Sequence, residues 1–487
     1  MKDTKVIQIL RALTQEEFKN FGKFVNSPYF NSSKNAVRFY NIIKRAYPKF
    51  EGKAIEIENV YKKLYPKQSY NEGTIRNIIS EMGQLAEKFL SQEYYKDMDY
   101  VIKFGELNML RSKNITGLKD KLLDSLLGKY GKAKGFMEDH FLVGIDLNNL
   151  KLFDVFDKGI LHKNTDIYTR RTEFAMFFTL DYMIHSKLEV AMNESRNLEY
   201  VDYSAKMYDC FDFEKFLEYV RENSPEFYNI ISIEHYVVKM CLNIDFDSNA
   251  EKFEKLFYEI YKNVSKRYLH SLFINFSNSY ITQINKGTSA SESKIYAKKF
   301  LALYDIYLKE KIYKVYYEWL PVEDFLNLIR ISDIAGDFEK IKKYTENFKD
   351  YTHPDERENL YNFGMGKHYL GIENYEMALS SFMKIIRHPI RITFEIKSAL
   401  IMCHFYLRNY ETALSITDAL MRDIERNKEG KVLLSQKISQ VKYLKKLLKI
   451  ATTPDLTGLD ELENEIKKSS YKNNTKILKM INSIKKN

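Results

Sequence analysis

With 487 residues and 45% apolar content the chain can bury more than one core. Its 8 prolines and 18 glycines leave few turns and point to long helices. Cys210, Cys241 and Cys403 stand apart from one another, which argues against a disulfide framework or zinc module and for buried thiols in a reducing cytoplasm. The net charge of +10 divides into +5 over 1–100, +1 over 101–200, −4 over 201–430 and +8 over 431–487, so basic character belongs to the ends.

The N-terminus has no apolar run of signal-peptide length, since Gln8 splits Val6-Ile7 from Ile9-Leu10 and Arg11 follows. The longest apolar run, 174–180, stops at Asp181 and is too short to span a membrane. Thr14-Gln15-Glu16-Glu17 is a capping box that opens a helix with Phe18, Phe21 and Phe24 at three-residue spacing. Ser27-Pro28-Tyr29-Phe30-Asn31 breaks it, and Asn31 or Ser32 caps the next helix, which runs to Pro48. That string resembles one in uncharacterised bacterial helical proteins and implies no function. A helix from Ala54 to Tyr65 ends at Pro66, and Asn71 caps a long one. On it Ile75, Ile78, Ile79, Met82, Leu85, Ala86, Phe89 and Leu90 form one stripe. Residues 1–95 therefore read as an N-terminal bundle of four helices. Arg76 and Asn77 sit where a recognition helix meets the major groove. The long preceding turn and the wide apolar stripe favour a bundle helix instead.

Residues 96–320 keep a helical pattern, with divergent repeats beginning near 226. The loosest stretch, Gly128-Lys129-Tyr130-Gly131-Lys132-Ala133-Lys134-Gly135, reads as a hinge or inter-domain turn. It lacks the strand and the Lys-Ser/Thr pair of a phosphate loop. Glu138-Asp139-His140 has no spaced partner to complete a metal site. Ser224-Pro225 opens a helix with proline at its first position, and Ser248 with Glu251 forms a capping box for the next. The two, 226–243 and 249–263, read as an antiparallel pair. Gly287-Thr288-Ser289-Ala290-Ser291 is a polar loop.

Residues 321–427 repeat. Asn374-Tyr375-Glu376-Met377-Ala378-Leu379 returns as Asn409-Tyr410-Glu411-Thr412-Ala413-Leu414, with a distant copy at Asp337-Phe338-Glu339-Lys340-Ile341. Pro321, Pro354 and Pro389 punctuate the same segment. A period near 34 marks helix–turn–helix units too small to bury their own apolar faces. The segment resembles the tetratricopeptide family, whose preferred positions fall on Gly366, Tyr369, Tyr375, Ala378 and Phe382; the third unit has Ile401 and His404 where Gly and Tyr are expected. Gly366 and Ala378 would let helices approach while the rings fill the space around them.

After the repeats, 432–450 carries Leu434, Ile438, Val441, Leu444 and Leu448 on one face and lysines on the other. Thr452-Thr453-Pro454-Asp455 breaks the chain before two short lysine-rich helices. Residues 428–487 thus read as a basic cap on an open helical array. A nucleic-acid-associated regulator using this tail or the N-terminal bundle is the alternative function, weakened by the absence of arginine in the tail.

The fold expected is all-α: an N-terminal helical bundle followed by an α-solenoid. The resemblance implies that the first helix of each unit lines a concave groove for a partner's peptide or helix. Carried onto this chain, the groove positions are Asn327, Arg330, Phe363, Lys367, Met402 and Phe405. Phe363 occupies a place where a carboxylate clamp would need lysine. No catalytic constellation, metal site or cofactor motif emerges. Cys403 and His404 are adjacent on a helix and point about 100° apart, so they do not form a nucleophile and its base. A cytoplasmic protein-interaction scaffold is the function expected.

Overall fold

A computed structural model describes the chain apart from residues 97, 138, 158–164, 195–201, 287–288, 387–389, 427, 454–455, 469–474 and 486–487. Glu138, the Gly287-Thr288 pair, Pro389 and Pro454-Asp455 lie outside the described residues, and the side chain of Leu434 does too. The described residues form 24 α-helices and no β-strand, so the chain is all-α. They divide into two units, 1–126 and 127–487.

The first unit holds α1 (Lys5–Ala12), α2 (Gln15–Asn26), α3 (Lys34–Ile43), α4 (Ile57–Leu64), α5 (Glu72–Lys96) and α6 (Asp99–Ser112), and the division falls within α7 (Thr116–Tyr130). The Thr14 box forms: its side chain accepts from the Glu17 N–H at 3.3 Å, and the Thr14 N–H donates to Glu17 Oε2 at 2.7 Å. Phe21 and Phe24 meet Phe89 of α5 with ring centres 5.3 and 5.7 Å apart. The core holds one helix more than the four expected. Val6, Ile7 and Leu10 stand at helical spacing, and α1 buries them against α5; Lys5, Gln8 and Arg11 are the outer face of an amphipathic helix. Ser33, rather than Asn31 or Ser32, caps α3 by accepting from the Ala36 N–H. Asn31 instead clamps the preceding loop, donating to the Val25 carbonyl at 2.7 Å and accepting from the Ser33 N–H at 2.9 Å. Asn71 caps α5 through the Thr74 N–H. Leu90 is exposed, so the stripe stops at Phe89.

In the second unit come α8 (His140–Asp157), α9 (Asp166–Glu194), α10 (Tyr203–Cys210), α11 (Phe213–Asn223), α12 (Pro225–Cys241), α13 (Phe246–Ile260), α14 (Lys266–Lys286) and α15 (Ala290–Lys309). Three pairs follow: α16 (Val322–Ala335) with α17 (Phe338–Phe348), α18 (Arg357–Gly371) with α19 (Tyr375–Met383), and α20 (Ile390–Tyr406) with α21 (Tyr410–Arg426). The chain then runs through α22 (Lys428–Ala451), α23 (Gly458–Lys468) and α24 (Thr475–Lys485). Successive helices of this unit pack on one another in solenoid-like order. α12 is enclosed by α9, α11, α13 and α14, and all residues from Ile230 to Val238 are buried.

One turn recurs. Gly336, Glu373 and Arg408 have φ of 71°, 62° and 63°. After each, a backbone N–H reaches back five residues: Asp337 to Ser332, Asn374 to Tyr369 and Asn409 to His404, at 3.0, 2.9 and 2.8 Å. This left-handed cap satisfies a carbonyl at the end of the first helix and turns the chain at once into the second. Asp337 and Asn374 then cap that second helix, accepting from Lys340 and Met377 N–H groups. The same turn joins α12 to α13 through Asn243 (φ 58°), with Ile244 bonded to Lys239, and α6 to α7 through Asn114 (φ 56°), with Ile115 bonded to Leu110. α13 therefore begins at Phe246, and Ser248 lies inside it with no capping role.

Within the middle pair a Cβ on Gly366 would stand 2.8 Å from the Phe382 ring, while Ala378 and Phe382 are buried. The small residues thus set the distance between α18 and α19. Of the expected hinge or inter-domain turn over 128–135, residues 128–130 end α7, in which the division of the units falls, and the rest is held rather than loose. The Gly135 N–H donates to the Asn263 carbonyl at 2.6 Å and the Ser265 N–H to the Phe136 carbonyl at 2.8 Å, pinning the segment to the α13–α14 turn. Of the three cysteines only Cys403 is fully buried; Cys241 is half-buried and Cys210, at the end of α10, is exposed.

Candidate interaction surface on the repeat helices

The first helices α16, α18 and α20 pack side by side, α16 on α18 and α18 on α20. Glu323, Asn327 and Arg330 follow one another along a face of α16 at spacings of four and three. Arg330 leaves that face for α20, where its Nε and NH2 both approach Glu395 Oε1, at 2.8 and 2.7 Å. Its NH1 reaches Asn327 Oδ1 at 3.3 Å and Glu323 Oε2 at 3.4 Å. Lys367 of α18 completes the bridge, its Nζ 3.6 Å from Asp333 Oδ2 and 3.9 Å from Glu395 Oε2. Lys476 of α24 approaches the same Asp333 oxygen at 3.6 Å.

These groups are semi-buried, with side-chain exposures of 18% for Arg330, 16% for Glu395, 12% for Lys367 and 24% for Asp333. Burial would raise the Asp333 pKa, but Lys367 and Lys476 outweigh it and hold the carboxyl below its ordinary value. A cluster of two cations and two anions, joined by a more exposed third cation, is thus shared among three repeat helices and the last helix. Breaking one partner of such a pair is costlier than the pair's own net worth.

The six expected groove positions separate into two sets. Asn327, Arg330 and Lys367 lie in the network, and Met402 is half-buried, two turns along α20 from Glu395. Phe363 and Phe405 are 1% and 2% exposed. They were expected to offer apolar contact to a ligand; instead they are core. Phe363 meets Phe382 at 6.3 Å between ring centres, and Phe405 packs with Tyr406 and Tyr410. Their helices are flanked on more than one side, so the position that faces a groove in the resembled family faces a neighbour here. Glu323, Asp333, Glu395 and Lys476 were not anticipated. Arg330, Lys367 and Met402 share one position, six residues before the left-handed residues Gly336, Glu373 and Arg408, so the register placed the cations but not their acidic partners.

Other candidates resolve differently. His140 is fully buried among Phe136, Phe141, Phe174 and Phe227, and neither ring nitrogen has a hydrogen-bond partner. Burial lowers its pKa to about 4, so it is a neutral core residue. No group of three or more metal-ligating side chains occurs among the described residues. Burial pushes the Cys403 thiol up to about 12, far from thiolate chemistry. Arg76 is exposed and paired with Glu72 at 2.6 Å. In the basic tail Lys445 pairs with Asp418, Lys446 with Glu465, and Lys485 with Asp460 and Glu463, which reduces the charge offered outward. An open groove of about 740 Å³ between α9 and α10 is lined by Met176, Leu180, Met183, Met207, Cys210 and Phe211. No helix among the described residues is long and apolar enough to cross a membrane.

Compared with protein-family models, with curated proteins and with solved structures, the chain matches none.

Proposed function

We propose that this protein is a cytoplasmic interaction scaffold whose tetratricopeptide-like helix pairs dock a peptide or helix of a partner across α16, α18 and α20. The observation that supports it most is the convergence of Arg330 and Lys367, from two successive first helices, on Glu395 of the third, with Asn327 bonded to Arg330. Met402 stands on the same stripe of that third helix. A face assembled from three helices has fixed geometry before any ligand arrives, which limits the ordering cost of binding.

Arg330 NH1 is the group best placed to meet a ligand. Its contacts at 3.3 and 3.4 Å are at the long end for hydrogen bonds, so a carboxylate or carbonyl of the partner gains by replacing them. Met402 supplies adaptable apolar contact beside it. The binding mode is a helix or extended segment laid into a groove, anchored by a few side chains.

Selection of peptides from a displayed library by the full chain tests the reading. Binders are expected in the micromolar range, and Met402→Lys is expected to weaken them at least tenfold, about 1.4 kcal/mol, with the melting transition preserved. An empty selection, or binders indifferent to Met402, overturns it.

A further inference from the structure

α24 reads Thr475-Lys476-Ile477-Leu478-Lys479-Met480-Ile481-Asn482-Ser483-Ile484-Lys485. Ile477, Met480 and Ile481, at i, i+3 and i+4, are buried in the cluster that includes Ile401 and Phe405 of α20 and Val441, Leu444 and Leu448 of α22. At the other side of the repeat face, Lys476 in its first turn approaches Asp333 of α16. The helix is therefore held at its start by Asp333 of α16 and along its apolar face by the cluster that joins α20 to α22 and α23, the two helices it packs on.

Two features bear on how α24 is held. It has 11 residues, fewer than an isolated helix needs to keep its shape in water, so its helicity depends on what it docks against. The Asp333 carboxylate also already has a cation: Lys367, 12% exposed, belongs to the repeat, whereas Lys476 is 59% exposed and arrives from outside it. The repeat face thus carries an acidic acceptor able to take a second lysine from a docked helix. Recognition by an acidic residue at the helix start and apolar side chains along one stripe is helix-in-groove binding.

We propose that α24 is a built-in occupant of the repeat face, and that the partner is a basic amphipathic helix of the same design, which takes its place. Such a helix carries lysine in its first turn and large aliphatic residues one, four and five positions later. The proposal rests on the reading of this face as a docking surface and deepens it by naming the partner's class. Displacement is a competition, so the affinity seen for the partner is reduced by the fraction of chains in which α24 is seated.

The test uses the full chain with Met480→Asp, which puts a charge on the buried stripe of α24, and a labelled synthetic peptide of the sequence 475–487. The variant is expected to lose no more helicity than that of α24, to keep cooperative melting and to bind the peptide at least tenfold more tightly than the unaltered chain. Lys476→Glu in the peptide is expected to weaken that binding severalfold. In the unaltered chain, amide exchange of α24 is expected to be much faster than that of α20 and α22. Equal protection of the three helices overturns the proposal, as does a Met480→Asp chain that fails to fold, because α24 is then a fixed cap. A folded variant that takes library-selected helices of another pattern but not this peptide overturns the partner class and leaves the docking surface standing. A folded variant that takes neither overturns both.

Discussion

α12 and α18 are both packed against several neighbouring helices, yet they treat polar side chains in opposite ways. In α12, Ser232, Glu234 and His235 are at most 3% exposed, and Ser232 Oγ, Glu234 Oε2 and His235 Nε2 lack hydrogen-bond partners. In α18, Asn362 donates to the Glu358 carbonyl at 2.8 Å, His368 bonds the Phe338 carbonyl at 2.9 Å, and Lys367 is ion-paired. A helix enclosed by four others leaves its innermost polar groups few partners, so burial raises the Glu234 pKa and lowers that of His235, whose Nδ1 meets the Tyr208 hydroxyl. A helix in a stacked pair keeps one face for other business, and α18 collects its charge there. The comparison separates two uses of buried polarity: the α12 region carries acid sensitivity, and α18 gathers its ion pair on one face.

The largest effect that would test this division is expected at Phe363. If the residue is core, Phe363→Ala costs about 3–5 kcal/mol, read as a large drop in the denaturation midpoint. An unchanged midpoint with lost partner binding would restore Phe363 to the groove and erase the distinction between the buried and presenting faces of α18.

The close approach of α18 and α19 was legible from residues alone. Gly366, Ala378 and Phe382 stand at the close contact their sizes require, because a one-period pattern of small and large residues is itself a packing statement. The turns were less legible. In the five recurring turns only Gly336 is a glycine; Glu373, Arg408, Asn243 and Asn114 adopt the same conformation, and for Glu and Arg nothing in the residue announces it. That is why the α12–α13 hairpin, with the same turn, gave only its approximate extent and a wrong start at Ser248. The candidate site was legible by half. Cations on first helices follow from the repeat register, but Glu395 pairs across two helices and Lys476 returns from the far end of the chain, contacts that no local period encodes.

The acid sensitivity assigned to the α12 region is expected next in size. Burial lowers the pKa of His140, and of His235, from 6.5 to about 4. A folded value below the unfolded one means that stability is complete above pH 6.5 and is lost as pH falls from 6.5 towards 4. The loss reaches about 3 kcal/mol per histidine. His140→Phe, which suits the surrounding rings, is expected to leave stability at pH 8 little changed and to flatten its decline below pH 6.5. Denaturant titrations at pH 8, 6 and 4 measure this slope. An unaltered slope would mean that the buried polar atoms of this region do not set its acid response.

The smallest effect separates the repeat turn from the packing around it. Asn374 accepts from the Met377 N–H at 3.2 Å while its own N–H bonds the Tyr369 carbonyl at 2.9 Å. Asn374→Ala removes only the first of these, since the second belongs to the backbone. The expected loss is about 1 kcal/mol, and Asp337→Ala at the preceding turn is expected to cost a similar amount through the Lys340 N–H. If the turns are equivalent units, the two losses add, because the side chains share no partner. A double variant that loses markedly more than the sum would show that adjacent turns are coupled through α18. The repeat face would then move as a single body, and docking at Arg330 would be felt at Met402 without any contact between them.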